Sequence, residues 1–478
     1  MDNTFYWHDY ETFGVDPSVD RPSQFAGLRT DFDLNPIGEP LVIYCQPQAD
    51  ILPAPQACLI TGITPQLAQA EGLPEPQFIE AIHHELSRPN TCGVGYNSIR
   101  FDDEVTRYTL YRNFYDPYQR EWKNGNSRWD IIDMLRLTRA LRPEGIEWPD
   151  HEDGRPSFKL EHLTAANGLA HEAAHDALSD VTATIAVAKL VKQKQPRLFD
   201  YVLQNRGKKQ IAAMLDLKAR KPFFHISGML GSEHMYGAMM MPLAQHPTNS
   251  NGIICCDLSA DPEMLISLNE HQIRERVFTA SADLPEGEER IPLKVVHINK
   301  APVVTTHKLI DAAAAKRLGI DLQRSEQNWQ RLSNHNLSEK LQLVFREQSF
   351  PPKPEAEQQL YGGFLPNQDR DLLNEVRRAS ADDFARQQFY FSDNRYNQLL
   401  FSYRARYFPQ SLSAEEQQTW RESCRWRLTD EQSGYLTLQQ NNQTLSELLA
   451  DSSLNDHQRG VLQALQNWSQ SVAEQFSV

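Results

Sequence analysis

The sequence predicts three kinds of domain in succession: mixed α/β over residues 1–195, β-rich over 196–350 and helical over 351–478. Three observations carry that reading. Strand-like and helix-like hydrophobic patterns alternate up to about residue 195, and short β-like runs separated by Pro, Gly and Asn clusters fill 222–304. Beyond the linker-like Pro351-Pro352-Lys353-Pro354, helical spacing dominates. A chain of 478 residues, 40% hydrophobic and 23% charged, has ample material for several globular cores.

In the first domain, Phe5, Trp7, Asp9 and Glu11 alternate with Tyr6, His8, Tyr10 and Thr12, the period of a strand. Asp33 to Gly38 reads as a turn between strands at 26–32 and 40–46. Thr64-Pro65 supplies an N-cap and a proline at the first helical position, and Phe78, Ile79, Ile82 and Leu86 give the next helix its apolar stripe. Thr91 to Tyr96 predicts a short buried strand and Phe101 to Phe114 a helix. Ser157 is the expected cap of a helix ending at Asn167-Gly168, and a last helix covers 177–194. From Pro196 the texture turns basic: Arg197, Arg206, Lys208, Lys209, Lys218, Arg220 and Lys221 face only Asp200 and Asp216. Phe223 to Ile226, Gly252 to Asp257 and Ile291 to Ile298 predict strands, and helices follow from about 308. Leu445, Leu448 and Leu449, then Val461, Leu462, Leu465 and Trp468, mark helices near the C-terminus.

Several function classes drop out. No apolar run approaches the roughly 18–20 residues of a membrane span, and the N-terminus carries Asp2, Asp9 and Glu11 rather than a basic, then apolar leader, so a cytoplasmic protein is expected. Six cysteines without a C-x-x-C pair argue for reduced thiols rather than structural zinc or disulfides. No G-x-x-x-x-G-K-[ST] loop is present, which counts against a helicase. A net charge of -15 counts against nucleic acid as a bulk partner, although a groove needs only local positive potential.

The chemistry-bearing residues fall in three places. Asp9 and Glu11 stand at i and i+2 of the first strand, so both carboxylates leave one face about 6–7 Å apart. On a core strand such a pair repels itself unless protons or a cation neutralise it, and hard oxygen ligands select Mg²⁺ or Mn²⁺ over zinc. An exposed strand end is the bland alternative. Asn97 to Asp102 closes a strand and opens a helix, placing Asp102 in a first turn, where a carboxylate also answers the helix dipole. His175 and Asp180 would diverge by about 140° on one helix. His175 is therefore expected to precede the helix, with Asp176 as N-cap and as the competing carboxylate.

Taken together, D-x-E at 9–11, N-x-x-x-x-D at 97–102 and H-x-x-x-x-D at 175–180 resemble the DEDD exonuclease superfamily, histidine subgroup. The runs H-D-Y-E-T-F-G at 8–14, L-I-T-G-I-T-P at 59–65, G-Y-N-S-I-R-F-D-D-E-V at 95–105, N-S-R-W-D at 126–130, R-P-E-G-I at 142–146 and A-H-D-A at 174–177 are similar to the bacterial exodeoxyribonuclease I family. So are Q-P-R-L-F-D-Y at 195–201, V-H-I-N-K at 296–300 and F-x-Y-R-A-R at 401–406, which extends the resemblance over nearly the whole chain.

That resemblance implies an RNase H-like exonuclease domain, an SH3-like domain and a helical C-terminal domain. It implies a 3′→5′ exonuclease that degrades single-stranded DNA to 5′-mononucleotides in repair and recombination. A non-catalytic single-stranded DNA-binding recombination factor with a degenerate nuclease domain is the alternative. Asp9, Glu11 and Asp180 are expected to hold one Mg²⁺ and Asp9 with Asp102 a second, about 3.5–4 Å away, with Mn²⁺ as substitute. His175 is the expected general base, imidazole having an ordinary pKa near 6.5. Expected substrate contacts are Glu11, Arg107, Tyr118, Trp122, Arg128, Arg136, Lys159, Tyr201, Lys208, Lys221, Lys294 and Asn299, cations for phosphates and aromatic faces for bases. At Lys159 the family pattern implies arginine; lysine keeps the charge but loses the bidentate fork. The expected protein partner is the acidic tail of single-stranded DNA-binding protein, with Arg142 matching its pocket while Glu326 and Ser333 depart from it. A monomer is expected.

Overall fold

Alternation over Thr4–Thr12 produces strand β1, and both of its faces are covered: Phe5, Trp7, Tyr6 and Tyr10 are all buried. The computed structural model describes residues 3–171, 175–346 and 353–478, so Pro351 and Pro352 of the expected linker lie outside the described residues. The chain divides into two units, one of residues 1–127, 172–182 and 351–478, the other of 128–171 and 183–350.

In the first unit β1 pairs antiparallel with β2 (Pro22–Thr30), which pairs antiparallel with β3 (Leu41–Tyr44); on its other side β1 runs parallel to β4 (Thr91–Gly95), and the short strand β5 (Ser127–Asp130) comes next in the chain. Asp9 stands opposite Ala26 and Glu11 opposite Gln24. The expected strand at 26–32 in fact begins at Pro22, because its ladder follows β1 to Thr12; the one expected at 40–46 ends at Tyr44, since Gln46 N turns away to bond Leu73 O. Thr64 caps the Pro65–Glu71 helix through Leu67 N, as its sequence suggests. Helices Glu75–Leu86 and Asp102–Arg112 place Phe78, Ile79, Ile82, Val105 and Leu110 against Tyr6, Tyr10 and Phe25 of the sheet.

The Asp102–Arg112 helix also packs on the C-terminal helices, where Tyr108, Tyr111 and Phe114 meet Leu373, Phe391, Tyr396, Leu399 and Tyr403. A buried ion network ties Arg21 and Asp50 to the C-terminal segments: Asp50 pairs with Arg406 at 2.6 Å and with Arg427, while Glu357 pairs with Arg21 and Arg406. Burial alone would raise the Asp50 pKa, but the two guanidiniums outweigh it and hold the carboxyl below its ordinary value.

In the second unit β6 (Phe223–Ile226), β7 (Gly237–Gln245), β8 (Gly252–Asp257), β9 (Leu293–His297) and β10 (Val303–Thr306) form an antiparallel sheet of order β10-β6-β7-β8-β9 around Phe223, Met240, Ile253, Cys255, Val296 and Val304. β7 has no strand signal in sequence, since its core is Met239-Met240-Met241-Pro242. It tolerates the proline because the register slips between Pro242 and Ala244, where a ladder bond is skipped anyway. Ser157 is not a cap. The helix starts at Leu160 with Lys159 at the N-cap position, and the Ser157 hydroxyl lies 2.8 Å from His162 Nδ1. All six cysteines are free and buried, and among the described residues no helix is long and apolar enough to cross a membrane.

Candidate active site

β4 last pairs with β1 at Trp7, so the next stretch of β1 has a free edge. The chain leaving β4 fills it. Asn97 turns at φ 59, and Gly95 admits the turn because a Cβ there would sit 2.5 Å from Ser98 Cβ. The chain then enters the Asp102–Arg112 helix, and Asp102 Oδ1 accepts from Tyr10 N at 3.0 Å. The Thr106 hydroxyl lies 3.0 Å from the Tyr10 hydroxyl and 2.8 Å from Asp102 O, fastening helix to strand.

The third motif arrives from the far end of the domain. The helix spans Ala177–Lys194, Asp176 caps it by accepting from Ser179 N at 3.0 Å, and His175 precedes it at φ 68. Ala177 N donates to Gln24 Oε1 at 3.3 Å, and Gln24 is the residue paired with Glu11. Glu11, His175 and Asp180 thereby bring one ligand atom each within 4.8 Å of one another, with Glu11 buried and His175 exposed.

Charge accumulates here without neutralisation. Burial, then Asp180, Asp102 and Asp176, pushes the Glu11 carboxyl up to about 8. Burial followed by Asp102, Glu11, Asp180 and Asp176 raises Asp9 well above the ordinary value. A site that resists its own ionisation this strongly is suited to a cation, and its oxygen donors with one imidazole fit a divalent ion.

The expected substrate contacts separate into several groups. Trp122 is 65% exposed, whereas Tyr118 is half-buried, its ring 6.1 Å from Phe364 and under the Arg107 guanidinium at 5.4 Å. Arg107 is buried and paired with Glu121 at 2.7 Å and Glu104 at 2.8 Å. Arg128 is also buried and donates to Asn299 O at 3.1 Å, and Arg136 pairs with Asp133 at 2.6 Å. Lys159 is exposed, 3.7 Å from Glu161. Tyr201 is half-buried with its hydroxyl on Val304 O at 3.2 Å. Lys208, Lys221 and Asn299 are exposed, and Lys294 is half-buried on β9. Arg142 donates to Leu141 O, while Glu326 and Ser333 are exposed on the Leu322–Ser333 helix.

Gln24 was not legible as a site residue. Its strand is wholly buried but also holds Ser23, Arg29 and Thr30, so nothing in the sequence singles the glutamine out. Glu104 and Tyr361, which complete the Arg107 cluster, share no local pattern in the sequence.

Family comparisons match an exonuclease family over residues 6–188, the exonuclease I SH3-like domain over 206–347 and the exonuclease I C-terminal domain over 354–472. Exodeoxyribonuclease I of Haemophilus influenzae is 48% identical over 423 residues, 88% of this chain and 89% of that protein; the Escherichia coli protein is 48% identical over 431 residues, 90% of each. E. coli exonuclease I in complex with a dA16 oligonucleotide superposes with a TM-score of 0.95 at 45% identity, covering 98% of this chain and 100% of that one. Also similar are the zinc-bound form of an E. coli exonuclease I complex with single-stranded DNA (TM-score 0.94, 44% identity, 99% and 100% covered) and an SSB/exonuclease I complex with an inhibitor (0.91, 44%, 99% and 100%).

Proposed function

Because this chain belongs to the exodeoxyribonuclease I family, we propose that it digests single-stranded DNA from the 3′ end to 5′-mononucleotides, acting in DNA repair and recombination in the cytoplasm. The observation that carries this reading is the meeting of Glu11, His175 and Asp180 beside Asp9 and Asp102 at the free edge of β1. Asp9, Glu11, Asp102 and Asp180 would hold two Mg²⁺, with Mn²⁺ as substitute. When bound, these ions supply Lewis-acid stabilisation of the phosphoryl oxygens and lower the pKa of the attacking water.

The chain's own residues do the rest. His175, exposed on the loop before its helix, offers a ring nitrogen to take the proton of the attacking water. Asp176 is occupied as N-cap, which leaves the imidazole as base. Tyr118 and Trp122 supply faces for unstacked bases; Arg136, Lys159, Lys208, Lys221 and Lys294 supply cations; and Arg128, Tyr201 and Asn299 complete the set of substrate contacts. Arg107, beside the Tyr118 ring at 5.4 Å, is a further cation for the strand. The polypeptide is read as an exonuclease domain at 1–195, an SH3-like domain at 196–350 and a helical domain at 351–478, working as a monomer. By analogy with the SSB/exonuclease I complex, it binds the acidic tail of single-stranded DNA-binding protein near Arg142.

Incubation with end-labelled single- and double-stranded DNA, with and without Mg²⁺, tests the reading. Mg²⁺-dependent release of mononucleotides from the 3′ end of the single strand is expected. Binding without any hydrolysis would favour the non-catalytic binding factor, against which the complete acidic set counts.

A further inference from the structure

Met235 and Tyr236 are consecutive non-glycine residues in the left-handed region, at φ 49 and φ 61. Backbone held there is costly for residues with a Cβ and persists only where its surroundings over-determine it. The turn is closed by Met235 N to Ser232 O and Tyr236 N to Gly231 O, each 3.0 Å, and by Ser227 N to Tyr236 O at 2.9 Å. Its product is the placement of one ring. The Arg136 guanidinium lies 4.9 Å from the Tyr236 centroid, and the Phe158 ring meets Tyr236 edge-on at 5.7 Å.

Three further neighbours fix this guanidinium. Phe158 lies 5.7 Å from it, Asp133 holds Nη1 at 2.6 Å, and Gly228 makes room, since a Cβ there would come within 2.8 Å of Nη1. Arg136 Nε is buried without a hydrogen-bond partner. A cation flanked by two neighbouring rings and held at one end by a carboxylate, with 14% of its side chain still exposed, keeps donors for an oxyanion. Phe158 also precedes Lys159, the second cation of the same stretch.

We propose that Tyr236 is a positioning residue that holds the Arg136 guanidinium, and through Phe158 the adjoining Lys159, for a backbone phosphate of the bound single strand. This rests on the exonuclease reading above. Tyr236 itself makes no contact with the reacting atoms; it fixes a fork that a flexible side chain would otherwise have to order at each binding event.

Tyr236→Asn is the informative variant, because asparagine adopts the left-handed region easily and the turn survives without the ring. Its Tm is expected to hold or rise, while KM for single-stranded DNA rises about 2- to 30-fold, the range of a cation–π contact, and kcat stays within about twofold. In metal-free binding with an oligo-dT probe, the slope of log affinity against log salt should fall by about 0.7, one phosphate contact. Tyr236→Phe should restore KM and slope, and Tyr236→Asn should add nothing in an Arg136→Gln background. Unchanged KM and slope in Tyr236→Asn with normal wild-type hydrolysis overturns the role of Tyr236 alone; so does failure of Tyr236→Phe to restore them, or additivity with Arg136→Gln. A wild-type chain that neither binds nor cleaves single strands overturns this role together with the exonuclease reading.

Discussion

Tyr10 N donates to Asp102 Oδ1 at 3.0 Å, joining two residues 92 positions apart. The bond fills the edge of β1 that β4 leaves unpaired after Trp7, and it brings a third carboxylate beside Asp9 and Glu11.

Asp102→Asn separates the two consequences of that bond. The amide oxygen can still accept from Tyr10 N, so stability should change by no more than about 1 kcal/mol, while loss of the charge should lower kcat at least about 100-fold. Thermal unfolding and Mg²⁺-dependent hydrolysis read the two effects. Near-normal turnover would remove Asp102 from the metal site.

His175→Ala should reduce turnover by about 10²–10⁴ with metal affinity kept, as befits a general base. Asp176→Ala should act chiefly on stability, by about 0.5–2 kcal/mol, through loss of the cap on Ser179 N. Calorimetric metal titration alongside single-turnover kinetics distinguishes them. Equal damage from Asp176→Ala with His175→Ala silent would reverse the assignment.

The acidic cluster makes the metal-free protein sensitive to alkali. Glu11 has a folded pKa of about 8 against an ordinary 4.5, so the native state holds the extra proton between those values and stability falls as pH rises through that window. Asp9 shifts in the same direction and adds to the slope. Divalent metal should therefore raise Tm more at pH 8 than at pH 5, and Asp9→Asn should flatten the metal-free profile. Melting curves across pH with EDTA and with Mg²⁺ check this; a metal-free Tm that climbs from pH 5 to 8 would contradict it.

Lys208, Lys209, Lys218 and Lys221 are exposed in an otherwise acidic chain. If they track the strand, replacing all four by alanine should lower the salt slope by about 0.7 per lost contact. Long single strands should be released early, whereas cleavage of an oligonucleotide of a few residues should hardly change. Unchanged slope and product lengths would mean that these lysines face only solvent.

Periodicity determined much of this protein, because side-chain alternation on a strand and apolar spacing on a helix are properties of adjacent residues. β1, the helix at 177–194 with His175 ahead of it, and the sequence of α/β, β-rich and helical regions all follow from local pattern. So does the D-x-E pair, since two residues apart on a strand means one face. Tertiary structure alone decided which charges are used up. Arg107 and Arg136 look alike in sequence, yet one is enclosed by Glu104 and Glu121 while the other pairs with Asp133 and lies beside the rings of Phe158 and Tyr236. β7 escaped notice because methionine and proline carry no strand signal, and its place was set by neighbours on both sides. Gln24 became part of the site only through its register opposite Glu11 and its bond to Ala177, contacts between segments far apart in the chain that no local pattern encodes.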